Sequence, residues 1–115
     1  MNNDRNTYII RHMVRYCQEI DAAVSHFGDS EEQFINNPVY RNAVSMPVQQ
    51  IGELSKHLSD EFTASHPEIP WRQIKGMRDW FAHQYTDMDI AVIWAVVKED
   101  LPPLRKFCET YLQGL

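Results

Sequence analysis

The sequence predicts an all-α fold, an antiparallel bundle of four to five helices. Three observations carry this. Apolar residues recur at steps of three and four, strand-like alternation is absent, and helix caps stand where the apolar stripes begin and end. Ile9, Met13, Tyr16, Ile20, Val24 and Phe27 form one such stripe on a long first helix. Asn3 or Asp4 can cap its start and Gly28 its end. Ser30-Glu31-Glu32-Gln33 reads as a capping box for a short second helix. Asn37-Pro38 reads as an N-cap followed by proline at the first helical position. From there Tyr40, Val44, Val48, Ile51, Leu58 and Phe62 continue a second long stripe. Pro47 lies within it and predicts a kink rather than a break.

His66-Pro67-Glu68-Ile69-Pro70 predicts a loop, since each proline disfavours helix in the residue before it. A fourth helix is expected from Trp71 to about His83. A fifth follows a cap at Thr86 or Asp87, with Ile90, Ile93, Val97, Leu101, Leu104, Cys108, Tyr111 and Leu115 on its stripe. Pro102-Pro103 is expected to kink or split that last run. Short connections make antiparallel neighbours the natural packing.

The chain has 115 residues, of which 43% are apolar. That suits one domain, residues 1–115, able to bury roughly two-thirds of its unfolded surface without a metal or disulfide. No apolar run is long enough for a transmembrane helix, and the start is polar rather than signal-like, so a cytoplasmic location is expected. Cys17 and Cys108 lack metal-ligand spacing and fall on apolar stripes; buried free thiols are expected. No metal site and no cofactor is expected.

The formal net charge is −5, which argues against a protein that coats nucleic acid. The charge is uneven, however. Residues 71–85 carry Arg72, Lys75 and Arg78 against Asp79 alone. A small basic site on an acidic body suits catalysis on RNA better than sequence-independent binding.

That basic stretch contains Met77-Arg78-Asp79-Trp80-Phe81-Ala82-His83-Gln84-Tyr85. Residues five apart on a straight helix point about 140° away from each other. Arg78 and His83 therefore share a site only if the helix ends or distorts between them, and Gln84 to Asp87 offers such an end. Metal-independent RNA cleavage needs a base for the 2′-hydroxyl, an acid for the 5′-oxygen and positive charge at the phosphorane. Histidine serves as acid or base at neutral pH, and arginine matches phosphate oxygens with a planar fork. Tyr85 can donate a hydrogen bond to phosphate or be modified itself. A symmetric dimer would bring two such sets together. The same residues also admit plain structural roles. Arg78 could pair with a carboxylate such as Glu53, His83 could cap a helix end, and Tyr85 could pack.

Other segments stand around this motif: Ile51-Gly52-Glu53, Leu58-Ser59-Asp60-Glu61-Phe62, His66-Pro67-Glu68-Ile69-Pro70-Trp71, Ile93-Trp94 and Glu99-Asp100-Leu101-Pro102. Together with Arg78-x4-His83-x-Tyr85 they resemble the HepT-like toxins of the HEPN superfamily over roughly residues 5–112. The resemblance implies a helical bundle that dimerises with its motifs facing a shared cleft. It implies a metal-independent endoribonuclease acting as the toxin of a toxin–antitoxin pair. The implied partner is a minimal nucleotidyltransferase antitoxin that neutralises the toxin by adenylylating the motif tyrosine. Carried onto this chain, Arg78 would stabilise phosphate charge, His83 would act as acid or base, and Tyr85 would be the modified residue and a substrate contact.

Asp79 departs from the asparagine common at that position. It can orient Arg78 or His83, and it also repels phosphate. Glu53 on the central helix is a supporting candidate as an ion-pair partner of Arg78. Lys56 and His57 are expected to be surface residues, and Trp80-Phe81 core or dimer-contact residues. The alternative function is a non-catalytic helical module that binds a nucleotidyltransferase partner. The chain is not itself read as a nucleotidyltransferase, since it lacks a glycine-serine phosphate loop followed by paired aspartates.

Overall fold

The computed structural model describes residues 2–78 and 87–115. All regular structure among them is helical, as expected. The elements are α1 (Asn2–Phe27), α2 (Glu31–Asn36), α3 (Pro38–Ser55), α4 (Asp60–Ser65), α5 (Trp71–Gly76), α6 (Asp87–Ala95) and α7 (Leu101–Gln113). A π-helical turn, Val96–Asp100, joins α6 to α7.

α1 packs on α3 and on α7, and α3 packs on α5. Contacts at both ends show that α1 and α3 are antiparallel. Arg5 near the start of α1 meets His57 just past the end of α3, with 3.5 Å between Nη2 and Nδ1. At the other end Phe27 stacks on Tyr40, ring centroids 4.9 Å apart. The apolar face of α1, Ile9, Ile10, Met13, Cys17 and Ile20, is buried against Val44, Val48 and Ile51 of α3 and Leu104 and Cys108 of α7 in one core. Each such side chain contributes roughly 1.5–3 kcal/mol by leaving water.

Local chemistry sets the boundaries. Gly28 ends α1 at φ +113°, a left-handed conformation that favours glycine, and its N–H donates to the Val24 carbonyl at 2.9 Å. The buried Tyr40 hydroxyl donates to the Gly28 carbonyl at 2.9 Å and so ties that turn to α3. Ser30 caps α2 by accepting from the Gln33 N–H at 3.3 Å. Asn37 caps α3 through the N–H groups of Val39 and Tyr40. The helix then runs through Pro47 without a break.

The boundaries differ from the sequence-based expectation at α5, which ends at Gly76 rather than near His83, and at α3. The stripe from Tyr40 to Phe62 is not one helix: α3 stops at Ser55, and Ser59 caps a separate α4 by accepting from the Phe62 N–H at 3.1 Å. The buried Asn6 of α1 fixes this break. Its Oδ1 accepts from the Ser59 N–H at 3.1 Å and its Nδ2 donates to the Ser59 Oγ at 3.2 Å. Leu58 and Phe62 remain buried, so the apolar period persists across the break and conceals it.

The last run divides into α6 and α7, within the expectation of a kink or split, but the interruption does not fall at Pro102-Pro103 itself. Both residues fall in the first turn of α7, where missing N–H donors cost least. Their effect lies one turn earlier. Each ring would crowd a carbonyl four residues back, at Lys98 and Glu99, and that turn is widened to π. The Leu101 N–H accordingly reaches back five residues to the Val96 carbonyl.

Both cysteines are free and buried. Burial pushes the Cys17 thiol up to about 12 and raises that of Cys108 as well. No helix among the described residues is long and apolar enough to cross a membrane.

Candidate functional site

The site is assembled where α3 meets α5. Ile51 is fully buried and fixes the rotation of α3. Next to it, Gly52 lets the two segments touch. A Cβ there would stand 2.7 Å from the Arg78 backbone nitrogen, 3.0 Å from the Ile74 carbonyl oxygen and 3.2 Å from the Met77 Cβ. Only glycine fits so close an approach of backbone to backbone. On the far side of the contact, Ile74 and Met77 are buried, and residues 77–78 tighten into a 3-10 turn. Trp71 anchors the start of α5 by donating its indole N–H to the His66 carbonyl at 2.9 Å.

This close packing places Arg78 beside Glu53. The Arg78 Nη1 donates to Glu53 Oε2 at 3.2 Å, with the side chains 39% and 44% exposed. The guanidinium is thus held at one edge and partly open to solvent. That hydrogen bond holds the Glu53 carboxyl below the usual carboxylate range; desolvation opposes the shift, and Lys56, Arg78 and His57 add to it through their charge. Glu53 therefore remains an anion throughout the neutral range, and Arg78 keeps its counter-ion.

The other Glu53 oxygen faces a histidine. Glu53 Oε1 lies 3.7 Å from His57 Nε2, one turn further along the chain. His57 Nδ1 in turn faces Arg5 Nη2 of α1. A guanidinium can only donate, so this contact leaves the lone pair on Nδ1 of the neutral ring and the proton on Nε2, toward Glu53. Arg78, Glu53, His57 and Arg5 thus form a row across α5, α3 and α1. His57 is a surface residue, as expected, but it is tied to the candidate site through Glu53. The sequence carried a signal for this, because positions 53 and 57 are one helical turn apart.

The structure therefore brings together two of the sequence-predicted site residues, Arg78 and Glu53. Asp79, His83 and Tyr85 lie outside the described residues, as do Trp80, Phe81 and the Thr86 cap.

Comparison with known proteins bears on the same region. The family model described as "Ribonuclease HepT-like" matches residues 13–111. The chain is 33% identical over 104 residues to a presumed RNase of Caldanaerobacter subterraneus subsp. tengcongensis, covering 90% of this chain and 91% of that one. It is 42% identical over 74 residues to a protein of Thermococcus cleftensis named "Probable ribonuclease HepT", covering 64% and 67%. A presumed RNase of Methanocaldococcus jannaschii is 36% identical over 77 residues, covering 67% and 71%. No solved structure matches. With a helical fold throughout the described residues and a family match across most of its length, the chain belongs to the HepT-like ribonuclease family.

Proposed function

We propose that this protein is the toxin of a toxin–antitoxin pair, a metal-independent endoribonuclease whose chemistry rests on Arg78 and His83. The observation that supports it most is the seating of Arg78. Its backbone packs against Gly52, its guanidinium is held by Glu53 at 3.2 Å, and it is still 39% exposed. A fixed, partly open guanidinium suits the charge that develops on phosphate during cleavage.

In the proposed reaction a histidine takes the proton of an RNA 2′-hydroxyl. The 2′-oxygen attacks the adjacent phosphorus, and the P–O5′ bond breaks. A protonated acid delivers a proton to the leaving 5′-oxygen. The products are a 2′,3′-cyclic phosphate and a 5′-hydroxyl. His83 fills the acid or base role, and a homodimer supplies its counterpart from the second copy. Arg78 stabilises the phosphorane, Glu53 positions Arg78, and Asp79 orients the motif. The whole chain acts as one domain in the cytoplasm.

Tyr85 is the residue a minimal nucleotidyltransferase antitoxin would adenylylate. Attack of the phenol on the α-phosphorus of ATP gives Tyr85-AMP and releases pyrophosphate. The added phosphate would compete with RNA for Arg78.

The test is cleavage of a mixed RNA pool in EDTA by wild type and by His83→Ala, with end-group analysis. Cleavage by wild type alone, leaving cyclic phosphate ends, supports the reading. A wild-type protein whose intact mass shows no AMP and which leaves RNA intact would favour the non-catalytic module instead.

A further inference from the structure

A groove of about 370 Å³ lies beside the Arg78–Glu53 pair, between α1 and the end of α3, lined by Arg5, Tyr8, Ile9, Leu54 and His57. We propose that this groove seats one nucleotide of the single-stranded RNA substrate, next to the phosphate held at Arg78. The base lies on Tyr8, and the adjoining phosphate is held by Arg5 and by the Nε2–H of His57. This subsite rests on the nuclease reading, which it deepens.

Three features carry the assignment. The first is composition. Tyr8 is a large aromatic left 61% exposed, and it lines the groove together with the apolar Ile9 and Leu54. Its ring lies against His12, centroids 4.3 Å apart at 56°. An exposed aromatic beside cationic side chains is the arrangement that stacks a base while neutralising its phosphate. The second is charge. Arg5 and His57 border the groove, Lys56 acts on the adjoining Glu53, and the nearby Glu53 carboxylate is already engaged by Arg78 and His57. The third is continuity. The row Arg78–Glu53–His57–Arg5 runs from the candidate cleavage site into the groove. An incoming phosphate would compete with Glu53 for His57.

The test is anisotropy of a labelled 2′-O-methyl RNA oligonucleotide, which binds but cannot be cleaved. It is read for wild type, Tyr8→Ala, Tyr8→Phe and Arg5→Ala, with Val39→Ala as an exposed control outside the groove. Circular dichroism and light scattering check the fold and the oligomeric state of each variant. Tyr8→Ala should weaken binding roughly tenfold or more, and Tyr8→Phe should retain it. Arg5→Ala should weaken binding and lower the salt dependence by about one phosphate contact. Wild-type affinity in both Tyr8→Ala and Arg5→Ala would overturn the subsite and leave the nuclease reading intact. So would a change of oligomeric state without a change in RNA binding, which would assign the groove to a second copy of the chain. RNA binding that depends on Tyr8 and Arg5 without cleavage of ordinary RNA would keep the subsite and remove the nuclease. Absence of RNA binding by wild type would overturn both.

Discussion

Arg78 reaches Glu53 because Gly52, the residue before Glu53, lets the Arg78 backbone approach to where a Cβ would stand only 2.7 Å away. One glycine therefore sets the geometry of the candidate phosphate-binding cation. Gly52→Ala should gain up to about 1 kcal/mol of helix propensity. It should lose more, about 1–3 kcal/mol, because the atoms it meets are largely backbone and cannot swing aside. A thermal melt should show a midpoint lowered by several degrees, and RNA cleavage should fall with it. An unchanged or raised midpoint would contradict the close packing.

Glu53→Gln keeps the shape of the pair and removes its charge. Both side chains are more than a third exposed, so stability should change little. The kcat should fall on the order of tenfold, because Arg78 loses the anion that orients it. KM should hold or improve, because one carboxylate no longer repels RNA. Equal loss in KM with kcat unchanged would assign Glu53 to substrate binding instead.

The same pair predicts a pH dependence. The hydrogen bond from Arg78 lowers the Glu53 pKa from its ordinary 4.5. A carboxyl depressed in the folded state contributes stability that is present above its unfolded pKa and is lost as pH falls through the lower, folded value. Glu53 should therefore titrate below 4.5 when followed by carbon-detected NMR, and the pair should persist across the neutral range. In Arg78→Ala the midpoint should move up toward 4.5, since the main cause of the shift is gone. A midpoint unmoved by that substitution would show that the pair does not hold in solution.

Asn6→Ala should be costly although no charge is involved. Asn6 is 3% exposed and accepts from the Ser59 N–H. Its removal leaves that donor without its partner at the start of α4, at about 1–3 kcal/mol. Urea denaturation should show a lower midpoint with an unchanged slope. A midpoint equal to wild type would mean that water replaces the amide at no cost.

Much of this was readable beforehand. Gly28, Ser30, Asn37 and Pro38 each announce a boundary through chemistry local to a few residues, and each stands where expected. The ion pair of Glu53 with Arg78 was legible too, as charge complementarity between two motifs. The break before α4 was not. Leu58 and Phe62 keep the helical period through it, and Asn6, more than fifty positions away in sequence, supplies the bonds that stabilise it. The π turn was missed because a proline acts on the carbonyls behind it, so its effect appears one turn earlier than its position. Gly52 was visible only as part of a motif; its reason is a contact with residues 74–78 that no local pattern encodes.

The role of Arg78 is tested by single-turnover cleavage of RNA in EDTA by Arg78→Ala, beside wild type, with circular dichroism of both. The variant should show a helical spectrum equal to wild type and a rate of cyclic-phosphate formation reduced on the order of a hundredfold or more. A correctly folded Arg78→Ala protein that cleaves at the wild-type rate would contradict that role.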